Sequence, residues 1–342
     1  MIDMVTYRKL HHSKQEGGKA VSMTGRITLS EEQMNATDPP SDNFFYLLPP
    51  NMFGFNMLEK RWINLRVDSI LEVEWNISAF ESVAMDVEDK HMVKALVSTK
   101  LEEARHTDVI EGKGNGLIIL LHGGPGTGKT ITAESVAEIA EKPLYRVTCG
   151  DLGTDPEKVE EYLESVFYLG KIWDCVVLLD EADVFLETRS LANLQRNALV
   201  SVFLRVLEYY QGILILTSNR VGTFDEAFKS RIQLALHYRN LDDSQRSQIW
   251  TNFIKRLEEL KEEADFVDIR AAIPKLALVP MNGRQIRNSI STARQLAIYE
   301  KEKMTSKHLE RAIHVAEKFE KYLLEVKDNV ADDEWAREEG AR

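Results

Sequence analysis

Cysteine is almost absent from this 342-residue chain, with Cys149 and Cys175 the only two. Each sits beside apolar residues in a strand-like run, which points to two buried reduced thiols rather than a disulfide. Long apolar runs are also missing, and none approaches the roughly 20 residues of a membrane span. The opening "MIDMVTYRKLHHSKQ" lacks the basic-then-apolar order of a secretory leader, so an intracellular aqueous compartment is the expectation. Basic charge is in deficit: 43 Lys and Arg face 55 Asp and Glu, a formal net charge of −12. That balance disfavours a grip on nucleic acid or on an anionic membrane by charge alone. His11 and His12 have no further Cys or His at ligand spacing and read as a solvated pair.

What the chain has is a 44% apolar content, ordinary for a packed core, at a length suited to about two domains. Residues 9–43 are polar and rich in Gly, Ser, Lys and Glu, which reads as loop or disorder within an N-terminal region spanning 1–80. In "WINLRVDSILEVEW" Ile63, Leu65 and Val67 alternate with polar residues, the period of a half-buried strand. From Leu117 to residue 240 apolar runs ("LIILL", "PLYRVT", "CVVLLD", "GILILT", "IQLALHY") alternate with helical segments. That is the form of an α/β core, placed at 81–240, whose parallel sheet is buried on both faces. In the long helix predicted over 191–210, Leu191, Leu194, Leu199, Val202, Phe203, Val206 and Leu207 form one apolar stripe, read as core packing. A small helical domain is expected over 241–325 and an acidic tail over 326–342.

The chemistry concentrates between the first strand and its helix. Gly123, Gly124, Pro125, Gly126, Thr127, Gly128, Lys129 and Thr130 spell "GGPGTGKT", with Ile131 next. Glycines let successive backbone N–H groups turn inward on phosphates, and the helix N-terminus adds a favourable dipole. Lys129 is placed to reach the β and γ phosphates of ATP, and the Thr130 hydroxyl to take Mg²⁺. A second apolar strand ends in "DEAD". There Asp180 is assigned to the magnesium shell, and Glu181 to orienting or deprotonating the attacking water. The acid pair favours hydrolysis over phosphoryl transfer to another acceptor. A third strand ends in Thr217, Ser218 and Asn219. Asn219 is a candidate partner of the γ phosphate or the water, against the plainer reading of a strand-terminal turn. Arg231, in "FDEAFKSRI", is a candidate finger toward a neighbouring subunit's ATP, with an ordinary surface arginine as the competing reading.

Taken in order, "GGPGTGKT", "VVLLDEAD", "TSNR" and "FDEAFKSRI", followed by helices, resemble an AAA+ ATPase module over about residues 80–325. The upstream stretch from "FFYLLPPNMFG" to "AFESV" resembles the region before the ATPase in large fungal AAA proteins. In those the chain normally extends further N-terminally, so a fragment or a short gene model is a reading left open. The resemblance implies a P-loop NTPase sheet of order 5-1-4-3-2 with a C-terminal helical lid. It also implies a ring, commonly a hexamer, of like subunits acting on a protein substrate. By the same resemblance Lys129 and Thr130 are the phosphate-loop pair, Asp180 and Glu181 the magnesium and water acids, and Asn219 the sensor. Arg231 falls at the finger region, where many members show two arginines and this chain shows one. Arg284, in "PMNGRQIRN", resembles a second sensor; Arg287 one turn later competes for that role, and an ordinary lid arginine is a third reading. Protein-threading members carry an aromatic before a glycine in the loop after the second strand. Here that loop reads "CGDLGTDPEKVEEYL", with no aromatic before Tyr162, which puts threading in doubt.

Overall fold

The computed structural model describes residues 1–12, 48–102, 116–153, 155–186, 194–220 and 224–326, with isolated positions between 30 and 46. It divides into two units, Met1–Glu74 and Trp75–Arg342.

In the first unit, helix α1 (Met4–His12) accompanies an antiparallel hairpin of β1 (Asn51–Asn56) and β2 (Arg61–Arg66). Residues 9–12 continue the helix, which corrects the loop reading at its start; 13–29 lie outside the described residues. Aromatic packing joins the pieces: Tyr7 stacks on Phe53 at 4.5 Å and meets the edge of Trp62 at 5.1 Å. Ile63 and Leu65 are half-buried as the alternation predicts, whereas Val67 leaves the strand for an exposed turn.

The second unit opens with α2 (Val87–Glu102) and then alternates strand and helix. The order is β3 (Leu117–Gly123), α3 (Lys129–Ile139), β4 (Leu144–Thr148), α4 (Cys149–Leu152), α5 (Pro156–Ile172), β5 (Val176–Asp180), α6 (Asp183–Leu186), α7 (Leu194–Glu208), β6 (Ile213–Ser218), α8 (Glu226–Lys229) and β7 (Leu234–Tyr238). All strand pairings are parallel, and the sheet order is β4-β5-β6-β3-β7. Numbered within the sheet, that is the expected 5-1-4-3-2 read from the other edge. β5 and β6 are buried at every position, as strands covered on both faces must be. Each such Leu, Ile or Val contributes about 1.5–3 kcal/mol by leaving water.

Phe80, fully buried, packs into the same core as Ile119, Val136 and Leu178. Phe80 thus belongs to the second unit, which begins at Trp75. Cys175 is a buried free thiol, and burial pushes its pKa up to about 12, which keeps it protonated. Cys149 begins α4 instead of lying in a strand, because Thr148 and Asp151 form a capping box there; its side chain lies outside the described residues. In α7 the stripe is buried at Leu199, Phe203 and Leu207, but Leu194 is 80% exposed at the helix start and Leu191 lies outside the described residues.

Four helices follow: α9 (Asp243–Glu259), α10 (Phe266–Ala277), α11 (Gly283–Glu300) and α12 (Ser306–Val326). Trp250, Ile269, Ile273, Ile286 and Ile290 belong to a core of their own. Of the expected acidic tail over 326–342, Val326 closes α12 and 327–342 lie outside the described residues. Among the described residues no helix is long and apolar enough to cross a membrane.

Candidate functional site

The phosphate loop is built by backbone freedom at three glycines. Gly123 (φ 146°), Gly126 (φ 73°) and Gly128 (φ 113°) occupy conformations that L side chains rarely adopt. A Cβ on Gly123 would stand 2.1 Å from the Tyr238 carbonyl oxygen, so the close approach of β7 also requires glycine. Gly124 is half-buried and Pro125 exposed between them. Gly128 is the N-cap of α3, whose first N–H groups therefore open onto the loop. Lys129 is buried, its Nζ donating to the carbonyls of Gly123 (2.9 Å) and Gly124 (2.6 Å). The Thr127 hydroxyl closes the loop by donating to the Gly124 carbonyl at 2.8 Å. Ile131 is 54% exposed on the first turn of α3.

The sheet brings Thr130 and Asp180 together from positions 50 residues apart. The Thr130 hydroxyl donates to Asp180 Oδ1 at 3.2 Å, the Thr217 hydroxyl donates to the same oxygen at 2.6 Å, and Arg146 Nη2 donates to Oδ2 at 2.5 Å. A carboxylate and a hydroxyl converging beside an anion-binding loop are the hard-oxygen set that suits Mg²⁺, so the residues fit that ion. Glu181 is exposed and takes φ 58°, a left-handed turn that costs a residue with a Cβ about 1–2 kcal/mol. The turn is held because the Glu181 N–H donates to Thr217 Oγ1 at 2.9 Å and the Ala182 N–H to the Thr217 carbonyl at 2.8 Å. One threonine thus fixes both neighbouring acids. Asp183 does the same for the end of β6: its Oδ1 accepts from Ser218 Oγ (2.5 Å) and from the Asn219 N–H (3.1 Å). The Asn219 side-chain amide stays outside these bonds. Arg146 carries no motif signal, and strand register places it here; Asp183 closes the "DEAD" stretch and opens α6.

The remaining candidates lie apart from this knot. Arg231 donates from Nη1 to the Ala227 carbonyl at 2.9 Å and pairs through Nη2 with Glu208 at 3.2 Å. Arg284 is exposed on the first turn of α11, and Arg287 is exposed one turn on. The start of α11 nevertheless meets the phosphate loop. Asn282 caps the helix, the Gly283 N–H donates to the Gly126 carbonyl at 2.9 Å, and a Cβ on Gly126 would lie 2.6 Å from Asn282 Oδ1. A cavity of about 530 Å³ opens beside Thr127, lined among others by Asp86, Asp89, Tyr238, Asn240 and Gln245, large enough for a nucleobase and its sugar. Behind the loop His122 stacks on His237 at 4.9 Å. Burial, then His237, then Lys129 hold the His122 imidazole below its usual range.

Residues 119–240 match the family model for the ATPase family associated with various cellular activities (AAA), and residues 241–330 match that for the fungal AAA+ ATPase lid domain. The chain carries an AAA+ ATPase module. Its lid is of the fungal type. The module is 27% identical over 210 residues to the putative 26S proteasome regulatory subunit homolog of Methanothermobacter thermautotrophicus, covering 57% of this chain and 54% of that protein. It is 30% identical over 132 residues to human ATPase family AAA domain-containing protein 3B, covering 35% of this chain and 19% of that protein. The chain thus spans about half or less of the length of these relatives. Among solved structures, the FIGL-1 AAA domain in complex with ADP superposes with a TM-score of 0.55 at 19% identity, covering 72% of this chain and 87% of that one, a likeness of fold.

Proposed function

We propose that the AAA+ module is a magnesium-dependent ATPase that works as an oligomer, commonly a hexameric ring in this family, and remodels a protein partner. The observation that carries this is the shared Asp180 contact of Thr130 and Thr217, with the phosphate loop and both acids at the C-terminal ends of neighbouring strands. Lys129 and the α3 N-terminus hold the triphosphate, with Ile131 and the cavity beside Thr127 receiving the base and sugar. Thr130 and Asp180 hold Mg²⁺, which when bound neutralises charge on the phosphate oxygens. Glu181 orients and deprotonates the attacking water, a contribution of about 10²–10⁴ in rate. Asn219 steadies the γ phosphate or the water, Arg231 acts on the neighbouring subunit's nucleotide after leaving Glu208, and Arg284 reports the nucleotide to the lid.

One observation favours a second reading, a nucleotide-regulated scaffold that hydrolyses slowly and threads nothing. The turn after β4 is taken up by the four-residue helix α4, which leaves no aromatic-bearing loop before α5. A DNA motor is opposed by the net charge of −12. Steady-state turnover per subunit against protein concentration, with Arg231→Ala and Glu181→Gln in parallel, tests the proposal. Turnover that rises with concentration and collapses in both variants, with ATP binding kept in Glu181→Gln, supports the working ring. A low rate, flat with concentration and indifferent to Arg231, favours the scaffold. Full activity in Glu181→Gln would remove that acid from the mechanism.

A further inference from the structure

Among the described residues the carboxylate assigned to magnesium is already engaged. Two of the three donors to Asp180, the hydroxyls of Thr130 and Thr217, are neutral and compatible with a divalent cation nearby. The third, Arg146, carries a full positive charge on Oδ2 at 2.5 Å and repels such a cation. Strand register explains its position. β4 and β5 run parallel with Thr148 opposite Asp180 and Arg146 opposite Leu178, so Arg146 stands one pleat back on the face of the sheet that bears Asp180. The pair is unequal in burial: the Arg146 side chain is 48% exposed and that of Asp180 only 8%. The guanidinium can therefore move away at less cost in newly exposed surface than the carboxylate. A second acceptor is close. Glu134 stands one turn after Thr130 on α3, on the face of that helix from which Thr130 reaches Asp180; partial burial and Asp180 push its carboxyl up and Arg146 draws it down.

We propose that Arg146 is a monovalent latch on the magnesium carboxylate, neutralising Asp180 in the metal-free module and swinging to Glu134 when Mg²⁺ enters with the nucleotide. The proposal rests on the magnesium-nucleotide reading above and adds a regulator to it. Arg146 is a positioning residue: it sets the free Mg²⁺ concentration at which the nucleotide site becomes competent. Nucleotide without metal leaves the latch closed.

The test is ADP binding to the whole chain by titration calorimetry across a Mg²⁺ series at fixed ionic strength, with Mn²⁺ binding followed by EPR as a readout that needs no nucleotide. In Arg146→Gln the half-saturating Mg²⁺ is expected to fall about fivefold or more, the scale of one charge–charge contact at a solvent-facing site. In Glu134→Gln it is expected to rise. The double variant is expected to match Arg146→Gln alone, because Glu134 acts only as the place to which the guanidinium moves. Equal or higher Mg²⁺ demand in Arg146→Gln overturns the latch, as does a Glu134→Gln effect that persists undiminished in the double variant. Should Arg146→Gln not fold, an unchanged Mg²⁺ demand in Glu134→Gln still overturns it. Wild-type protein that binds no ADP at any Mg²⁺ concentration defeats the nucleotide reading as well, whereas normal ADP binding with no shift in the variants defeats the latch alone.

Discussion

The phosphate loop meets the sheet on one side and the lid on the other, and the two contacts are built differently. On the sheet side, side chains from α3, β4, β5 and β6 interlock with backbone groups: Lys129 on the Gly123 and Gly124 carbonyls, Thr130, Thr217 and Arg146 on Asp180, and the Glu181 N–H on Thr217. On the lid side the contact is a backbone bond from Gly283 to Gly126, with Asn282 packed where a Cβ of Gly126 would go. Separating a network of buried polar groups leaves each of them unpaired, at about 1–3 kcal/mol apiece. A helix end held through a backbone bond, on a domain with its own core, has fewer such groups to leave unpaired. Under the proposed function, the residues assigned to the chemistry sit on the interlocked side, and Arg284 on the side held through backbone.

The first way to break that contrast is Lys129→Ala, which should lower ATP affinity by about 100-fold or more, since contacts with charged groups are the strong ones; fluorescent-nucleotide titration reads it. Next, Thr217→Val keeps the shape of the side chain but leaves Asp180 and the Glu181 N–H each one partner short. It should cost about 2 kcal/mol or more in denaturant unfolding, and the left-handed turn at Glu181 should relax with a loss of turnover. On the lid side Gly126→Ala should cost about 1–2 kcal/mol for its positive φ, and Asn282→Ala about 1 kcal/mol as a lost N-cap. Their double variant should cost less than the sum, because removing Asn282 frees the space the new methyl needs; strict additivity would deny the contact.

The smallest effect is with pH. His122 is held below its ordinary value of 6.5 by burial first, then by His237 and Lys129, so the folded protein favours its neutral form. Below about pH 6.5 the unfolded chain binds the extra proton. Stability from this group is therefore fully present above that pH, and declines as the pH falls toward the folded value. The midpoint of thermal unfolding between pH 7.5 and 5.5 should fall less in His122→Phe than in the wild type.

Sequence reading reached the elements whose signals are local. Continuous apolar runs marked β3, β5 and β6, and glycine spacing marked the loop. It misplaced Cys149, where a capping box outweighs the apolar neighbours, and Leu194, where a stripe residue precedes the packed part of α7. Arg146, Asp183, Asn282 and the cavity beside Thr127 went unread, because each acquires its meaning from a partner on another strand or domain.

What the sequence by itself determined is the module: a phosphate loop between strand and helix, an acid-tipped neighbouring strand, a parallel sheet and a helical lid. Backbone geometry and apolar periodicity act over a few residues, so they are written in consecutive letters. What only the tertiary structure decided is which donors share the Asp180 carboxylate, and where the lid touches the loop. The first follows from strand register and from the packing of α3 on the sheet, which bring Arg146, Thr217 and Thr130 to one oxygen pair from three separate segments, and the second from the packing of α11 on the loop. Charge and hydrogen bonding depend on distance in space, and no local pattern encodes that distance.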